Sequence, residues 1–335
     1  MMGFDLDFII PIIFIGIMGF VMLVYVVLDG YDLGVGILLP MGNEHEKDIM
    51  IASIGPFWDA NETWLVLGIG IFLIAFPKAH GLILTSLYIP VTIMLMALVL
   101  RGIAFDFRVK AGDSKKARWN FAFFSGSLMA SMAQGWMLGA YVTGLGGGTL
   151  NTLFSILIAL TLPALYIILA CGWLMLKTDG ALFMKAMRWG RLFIIPMGFV
   201  LVMMSLATPL VSETIAKKWF SMPNIIGLAP IPLTSVVAYL VVLWLLHNPD
   251  VAKRGYAWLV MGGTVFICIL AATGLAYSIY PYVVLDQLTI WEAASATESL
   301  LFVLVGLSIT LPAILFYTVF VYRVFSGKAE ELTYE

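Results

Sequence analysis

The 335-residue chain reads as an all-α polytopic membrane protein, a single integral membrane domain over residues 1–335. Three observations predict this. Apolar and aromatic residues make up 62% of the chain and charged residues only 11%, whereas soluble domains sit near half and a quarter. A mean hydropathy of +1.02 leaves too little polar surface to cover a globule of this size in water. Long apolar runs recur along the chain with no alternating ten-residue barrel pattern, and in lipid a backbone must satisfy its own hydrogen bonds, so helix is the expected form.

Nine runs are long enough to cross the hydrocarbon, at about 8–28, 50–76, 82–100, 119–142, 152–176, 192–211, 231–247, 256–279 and 298–322. The first follows an acidic amino terminus, MMGFDLDF, which lacks the positive region of a cleavable signal peptide, so it is kept as a span. The second carries GPFWDANETWLVLG, and the third ends in LRGIAFDFR. Between the fourth and fifth, GLGGGT (144–149) has neither the lysine nor the preceding strand of a phosphate cradle and reads as a flexible turn. After the sixth, VSETIAKKWFSMP (211–223) mixes charge with aromatics and is expected in the outer interface. Before the ninth comes TIWEAASATES, where capping by Ser295 or Thr297, with Glu298 in the first turn, accounts for the polar residues together with Glu292. Cys171 and Cys268 fall inside apolar runs and read as small buried hydrophobes, not as a bridge or a metal pair.

The charges set an orientation. Lys47, Arg101, Arg108, Lys110, Lys115, Lys116, Arg118, Lys177, Lys185, Arg188, Arg191, Lys253, Arg254, Arg323 and Lys328 fall in alternate connections and the tail. That is fifteen of the 18 basic residues; Lys78, Lys217 and Lys218 are on the other side. The positive-inside rule then puts the amino terminus outside and the carboxyl terminus in the cytoplasm, which requires an odd number of spans. A formal charge of −2 with scattered Lys and Arg offers no basic face for phosphates, so lipids and proteins, not nucleic acid, are the expected partners.

Acidic residues at hydrocarbon depth are functional candidates because burying them is costly. Trp58, Asp59, Asn61, Glu62 and Trp64 lie within two turns of span two, with Asp59 and Glu62 three apart on one face. Counted from Ile49, Asp59 is expected about ten residues into a continuous helix, roughly 15 Å along its axis. The group reads either as a proton-handling site or as an interhelical hydrogen-bond cluster. A second pair, Asp29 and Asp32 in LDGYDLGVGILLP, closes span one. Here the alternatives are a proton relay and plain helix termination at Gly30 and Gly34 with solvated aspartates. Arg101 reads as an interfacial anchor or as the ion-pair partner of Asp29 or Asp32. Trp58 and Trp64, placed inside a span, either pack against a cofactor or fill a core.

His45, His80 and His247 lie in connections or at a span end, so no axial haem ligand is expected in the bilayer core, and without HExxH or CxxC no zinc or iron–sulfur site is expected either. The 19 methionines read as filler between helices.

LDGYDLGVGILLP (28–40), GPFWDANETWLVLG (55–68), AFPKAHG (75–81), LRGIAFDFR (100–108) and TIWEAAS (289–295), in this order across nearly the whole chain, resemble subunit II of the cytochrome bd-type quinol oxidases. The WDANETW wording looks closest to the cyanide-insensitive branch. The resemblance implies two four-helix bundles plus one helix, facing a subunit I that holds two b-type haems, one d-type haem and the external quinol site. Subunit II then carries no haem ligand and lies in the bacterial inner membrane; a small third subunit is a further partner the resemblance leaves open. The implied reaction oxidises quinol and reduces dioxygen to water with protons drawn from the cytoplasm. Asp59 matches the aspartate placed on a proton pathway, Trp64 matches the region of oxygen access, and Asp29, Asp32 and Glu62 are its candidate helpers. Two other readings compete: a proton-coupled secondary transporter, which would show matched Gly/Pro interruptions in two halves, and a purely structural partner that seals the haem subunit from lipid.

Overall fold

The computed structural model describes residues 5–329. The elements, in order, are α1 (Leu6–Leu38), α2 (Glu44–Ile54), α3 (Trp58–Ala75), α4 (Pro77–Ser86), α5 (Tyr88–Lys110), α6 (Asp113–Val142), α7 (Thr149–Lys177) and α8 (Gly180–Val211). They continue with α9 (Glu213–Phe220), α10 (Asn224–Leu228), α11 (Pro230–His247), the helical turn α12 (Pro249–Val251), α13 (Trp258–Ile279), α14 (Ile290–Ala293) and α15 (Thr297–Val324). Strands β1 (Tyr282–Val284) and β2 (Leu288–Thr289) pair antiparallel as a small hairpin outside the helices.

Among the described residues, eight helical segments are long and apolar enough to cross a membrane: α1, α3, α5, α7, α8, α10 with α11, α13 and α15. The other run expected to span, α6, forms a 30-residue helix packed between α5 and α7. Buried Asn120, Ser127, Ser131 and Gln134 dilute its apolar character.

Packing sorts the long helices into two groups. α7, α8, α11 and α13 close a ring in which each touches the next, while α1 packs on α3 and α6, and α6 on α5. α1 also lies along α7 and joins the groups into one core. α15 touches α1 and α3 only lightly. The close crossing of α1 on α7 depends on Gly34, where a Cβ would stand 2.0 Å from the Tyr166 carbonyl oxygen, an example of small residues letting membrane helices approach.

Several expected boundaries move, each for a local reason. The helix does not end at Asp29: α1 runs on to Leu38 and stops at a 3-10 turn containing Pro40. The expected single helix 50–76 is broken, because Pro56 has no N–H to donate to the preceding turn and its ring crowds that turn. Gly55 to Phe57 therefore separate α2 from α3, and Asp59 stands in the first turn of α3 rather than ten residues into a span. α2 starts with a capping box in which the Asn43 side chain accepts from Glu46 N–H while Glu46 accepts from Asn43 N–H. The run 82–100 likewise divides at Leu87 into α4 and α5. The connection expected between 176 and 192 shrinks to Thr178 and Asp179, leaving Lys185, Arg188 and Arg191 on α8.

Before α15, capping falls to Thr289 and Glu292, which form a capping box on α14. Ser295 instead donates to the Ile74 carbonyl, and Thr297 donates to Asp7. The turn at 144–149 holds Gly144 and Gly148 at positive φ, and 213–220 forms α9 with Lys217 and Lys218 in its last turn. Both cysteines are buried and free.

Candidate functional site: a buried ion cluster between α1, α3 and α5

Because α1 continues past Asp29, its two aspartates are carried into the core, and both are fully buried. The i, i+3 spacing points them to one side of the helix, where α5 presents Arg101, also fully buried. Arg101 Nη1 donates to Asp29 Oδ1 at 2.8 Å and to Glu62 Oε1 at 2.6 Å. Its Nη2 lies 4.0 Å from Asp32 Oδ2. The guanidinium is flanked by the rings of Trp58 at 5.8 Å and Phe123 at 5.7 Å, a placement suited to a weakly hydrated planar cation. Arg101 is therefore the ion-pair partner of the α1 aspartates and not an interfacial anchor.

Asn61, one residue before Glu62, faces the other side of the cluster. Its amide donates to Asp32 Oδ2 at 2.7 Å and to the Tyr31 hydroxyl at 2.9 Å, and its Oδ1 accepts from the Tyr322 hydroxyl at 3.1 Å. Away from the ion pair, Tyr166 donates to Gln134 Oε1 at 2.5 Å, and Gln134 donates to the Tyr25 hydroxyl at 2.8 Å. Tyr25 sits one turn before Asp29 on α1, so a polar file extends from the cluster into the α1–α6–α7 core.

Of the predicted residues, the structure thus brings Asp29, Asp32 and Glu62 together around Arg101 and lays Trp58 against the guanidinium. Asp59 is outside this shell: it is exposed on the chain, one turn before Glu62. Glu62 stands between the two, with its side chain 24% exposed. Trp64 faces elsewhere, buried with its ring edge-on to Phe20 at 6.5 Å. Solvated aspartates at a helix end are ruled out by the burial of Asp29 and Asp32.

Sequence reading missed Tyr25, Tyr31, Gln134 and Tyr322. The signal available was weak: a polar side chain in mid-span at Gln134, and tyrosines one turn before Asp29 and adjacent to Asp32.

A second set of charges pins α2. Arg108 on α5 donates to Asp48 Oδ1 at 2.7 Å and to Asn120 at 2.5 Å, and Lys185 on α8 donates to Glu46 Oε2 at 2.6 Å. Burial pushes the Glu46 carboxyl up, but the Lys185 ammonium and the Asn43 N–H outweigh it and hold the group below the usual glutamate range.

No group of three or more His, Cys, Asp or Glu among the described residues is arranged to hold a metal ion. The three histidines stand on three different helices, α2, α4 and α11, and none is buried. His80 packs beside Phe72 and His247 Nδ1 contacts its own helix at the Leu243 carbonyl. As a donor set they do not fit an axial haem ligand pair.

A helical membrane protein with one arginine and three carboxyls at the meeting point of its helices belongs to the class of polytopic membrane proteins that pair charged residues within their spans. The family is specific: residues 10–325 match the model of cytochrome bd terminal oxidase subunit II, and the chain belongs to that family. It is therefore a subunit of a terminal oxidase, and the transporter reading falls away. The chain is 25% identical to the cytochrome bd-I ubiquinol oxidase subunit 2 of Escherichia coli K12 across 93% of both chains. It is 43% identical to the cytochrome bd ubiquinol oxidase subunit 2 of Bacillus subtilis over 111 residues, about a third of each chain. The fold matches a chain of the bd oxidase from Geobacillus thermodenitrificans with a TM-score of 0.72 at 18% identity, covering 94% of this chain and 98% of that one.

Proposed function

We propose that this chain is the haem-free subunit of a quinol:oxygen oxidoreductase, that it stabilises a haem-bearing subunit I, and that it takes up protons from the cytoplasm through Asp59 and Glu62. The observation that carries the reading is the arrangement on α3. Asp59 is exposed, Glu62 is half-buried one turn on, and Glu62 accepts from the fully buried Arg101.

Charge counting supports a protonic role. Three carboxyls share one guanidinium, so with all three ionised the site carries a net charge of −2 in a low-dielectric core. Such a charge is strongly disfavoured, so an arrangement of this kind suits a site that takes up protons. Asp29 and Asp32, locked by Arg101 and Asn61, hold the charge in place; Glu62, reachable from Asp59, is the group that exchanges it.

The partner's redox centres, two b-type haems and one d-type haem, supply the electron transfer from quinol to dioxygen, and no step of that chemistry rests on a residue of this chain. The names of the ubiquinol oxidase relatives support quinol as the reductant. Trp64, beside Phe20, is a candidate wall for oxygen access. With most of the basic residues at or near the helix ends and connections that the charge count assigns to one side, the cluster end of the bundle faces the cytoplasm of a bacterial inner membrane.

The test replaces Asp59 with Asn and Glu62 with Gln in the membrane complex. Turnover is expected to fall roughly tenfold or more while the haem absorption bands persist. Wild-type turnover in Glu62→Gln removes proton uptake from this chain, and wild-type turnover in Asp59→Asn alone removes Asp59 from the path.

A further inference from the structure

The carboxyl-terminal segment reaches the ion cluster from outside it. α15 is mostly exposed, with only Leu300, Leu307 and Val321 buried among its apolar residues, yet the next residue, Tyr322, places its hydroxyl 2.5 Å from the Tyr31 hydroxyl and donates to Asn61 Oδ1 at 3.1 Å.

A phenol has one proton to give. With that of Tyr322 committed to Asn61, the proton between the two tyrosines comes from Tyr31. Asn61 closes the ring by donating back to Tyr31 at 2.9 Å. Tyr31 to Tyr322, Tyr322 to Asn61 and Asn61 to Tyr31 is then a one-way circuit, and the second amide hydrogen of Asn61 is directed at Asp32, 2.7 Å away. Turning the amide over reverses the circuit without unpairing either phenol but sets the Asn61 oxygen against the Asp32 carboxyl, so Asp32 selects the face of the amide and the two phenols hold it in place.

The phenol is itself clamped. The Lys177 ammonium, at the end of α7, donates to the carbonyls of Phe325 and of Gly327, the latter at 3.1 Å. Lys328 donates to the Thr178 carbonyl and pairs with Asp179, both at 3.0 Å, and Ala329 N–H donates to the Lys177 carbonyl at 2.8 Å. Phe57 packs between the clamp and the phenol, its ring 5.2 Å from the Lys177 ammonium and 4.6 Å from the Tyr322 ring.

We propose that Tyr322, held by the Lys177 clamp on the carboxyl-terminal segment, is a positioning residue of the oxidase that holds the Asn61 amide in place beside Asp32, whose carboxyl selects the N–H side. It touches no substrate and acts through Asn61. The assignment rests on the proposed role of the cluster in proton uptake.

The experiment compares Tyr322→Phe, Lys177→Met, Asn61→Ala, the double variant Tyr322→Phe/Asn61→Ala and Glu62→Gln in the purified complex, measuring kcat, the KM for quinol and the haem bands. Tyr322→Phe and Lys177→Met are each expected to lower kcat about threefold, with KM and haem bands unchanged. In the Asn61→Ala background, loss of the phenol is expected to add less than about 1.5-fold. Normal kcat in Tyr322→Phe, a full additional loss in the double variant, or haem bands lost in step with turnover overturns the proposal, the last by making Tyr322 a scaffold residue. Normal kcat in Lys177→Met alone overturns the clamp. If Glu62→Gln is fully active, the proton-uptake reading has failed; if Glu62→Gln is impaired and Tyr322→Phe is not, only the Tyr322 assignment has.

Discussion

Arg101 on α5 and Asp29 on α1 are 72 positions apart in the chain and 2.8 Å apart in the fold, and neither has any exposed side-chain surface. The same Arg101 nitrogen serves Glu62 on α3. One guanidinium therefore joins three helices, and its loss leaves two fully buried aspartates without a cation.

Arg101→Ala is expected to destabilise the subunit by about 3–5 kcal/mol, the cost of stranding a buried charge. Arg101→Lys is expected to recover only part of this, since a single ammonium cannot reproduce the planar fork. Thermal unfolding of the purified complex, with the yield of assembled oxidase, checks both.

Asp29 and Glu62 share the Arg101 nitrogen but differ in exposure, and this separates their roles. Asp29→Asn removes a buried counter-charge and is expected to reduce assembly as well as turnover. Glu62→Gln, at the edge of the cluster, is expected to reduce turnover roughly tenfold with assembly intact. Haem content measured beside oxygen consumption distinguishes the two patterns.

Lys185 and Glu46 give a pH-dependent contribution to stability. The Glu46 carboxyl in the folded chain is held below its ordinary value, so its contribution is complete above the unfolded glutamate pKa and is lost as pH falls through the lower, folded value. Lys185 is about a third exposed, so solvent screening limits the effect to under about 1 kcal/mol. Thermal midpoints between pH 7 and 3 should fall less steeply in Lys185→Met than in the wild type; parallel curves would count against the pair.

Gly34→Ala is expected to cost more than about 2 kcal/mol, because the new methyl would lie 2.0 Å from the Tyr166 carbonyl oxygen and α1 would have to back away from α7. Gly274→Ala on α13 is the control. Its Cβ would meet nothing closer than 3.6 Å, and helix propensity favours alanine by about 0.5–1 kcal/mol. The thermal midpoints of the two variants should move in opposite directions.

Membrane class, the positions of most long helices and the presence of Asp29, Asp32, Asn61 and Glu62 as polar residues in apolar runs were legible in the sequence, because each follows from local chemistry. An apolar run of some twenty residues has few alternatives in lipid, and an aspartate within such a run is conspicuous by its cost. The family blocks added Asp59, Glu62, Asp29 and Asp32 as one functional set, and the fold brings three of these together around Arg101.

What the sequence could not decide is where each side chain points. Gly30 and Gly34 offered a helix end in the sequence; only the packing of Tyr166 against Gly34 shows a close crossing, with α1 running on and Asp29 and Asp32 carried into the core. Arg101 stood between an interfacial anchor and an ion-pair partner because its partners lie 39 and 72 positions away in the chain. Tyr322 and Lys177 carried no signal at all, since their partners, Tyr31, Asn61 and the Phe325 and Gly327 carbonyls, are set by how the last helix folds back. Burial cost and helix length are properties of a segment and are written in it, whereas ion pairing and amide orientation are properties of the contact between segments and exist only once the helices have packed.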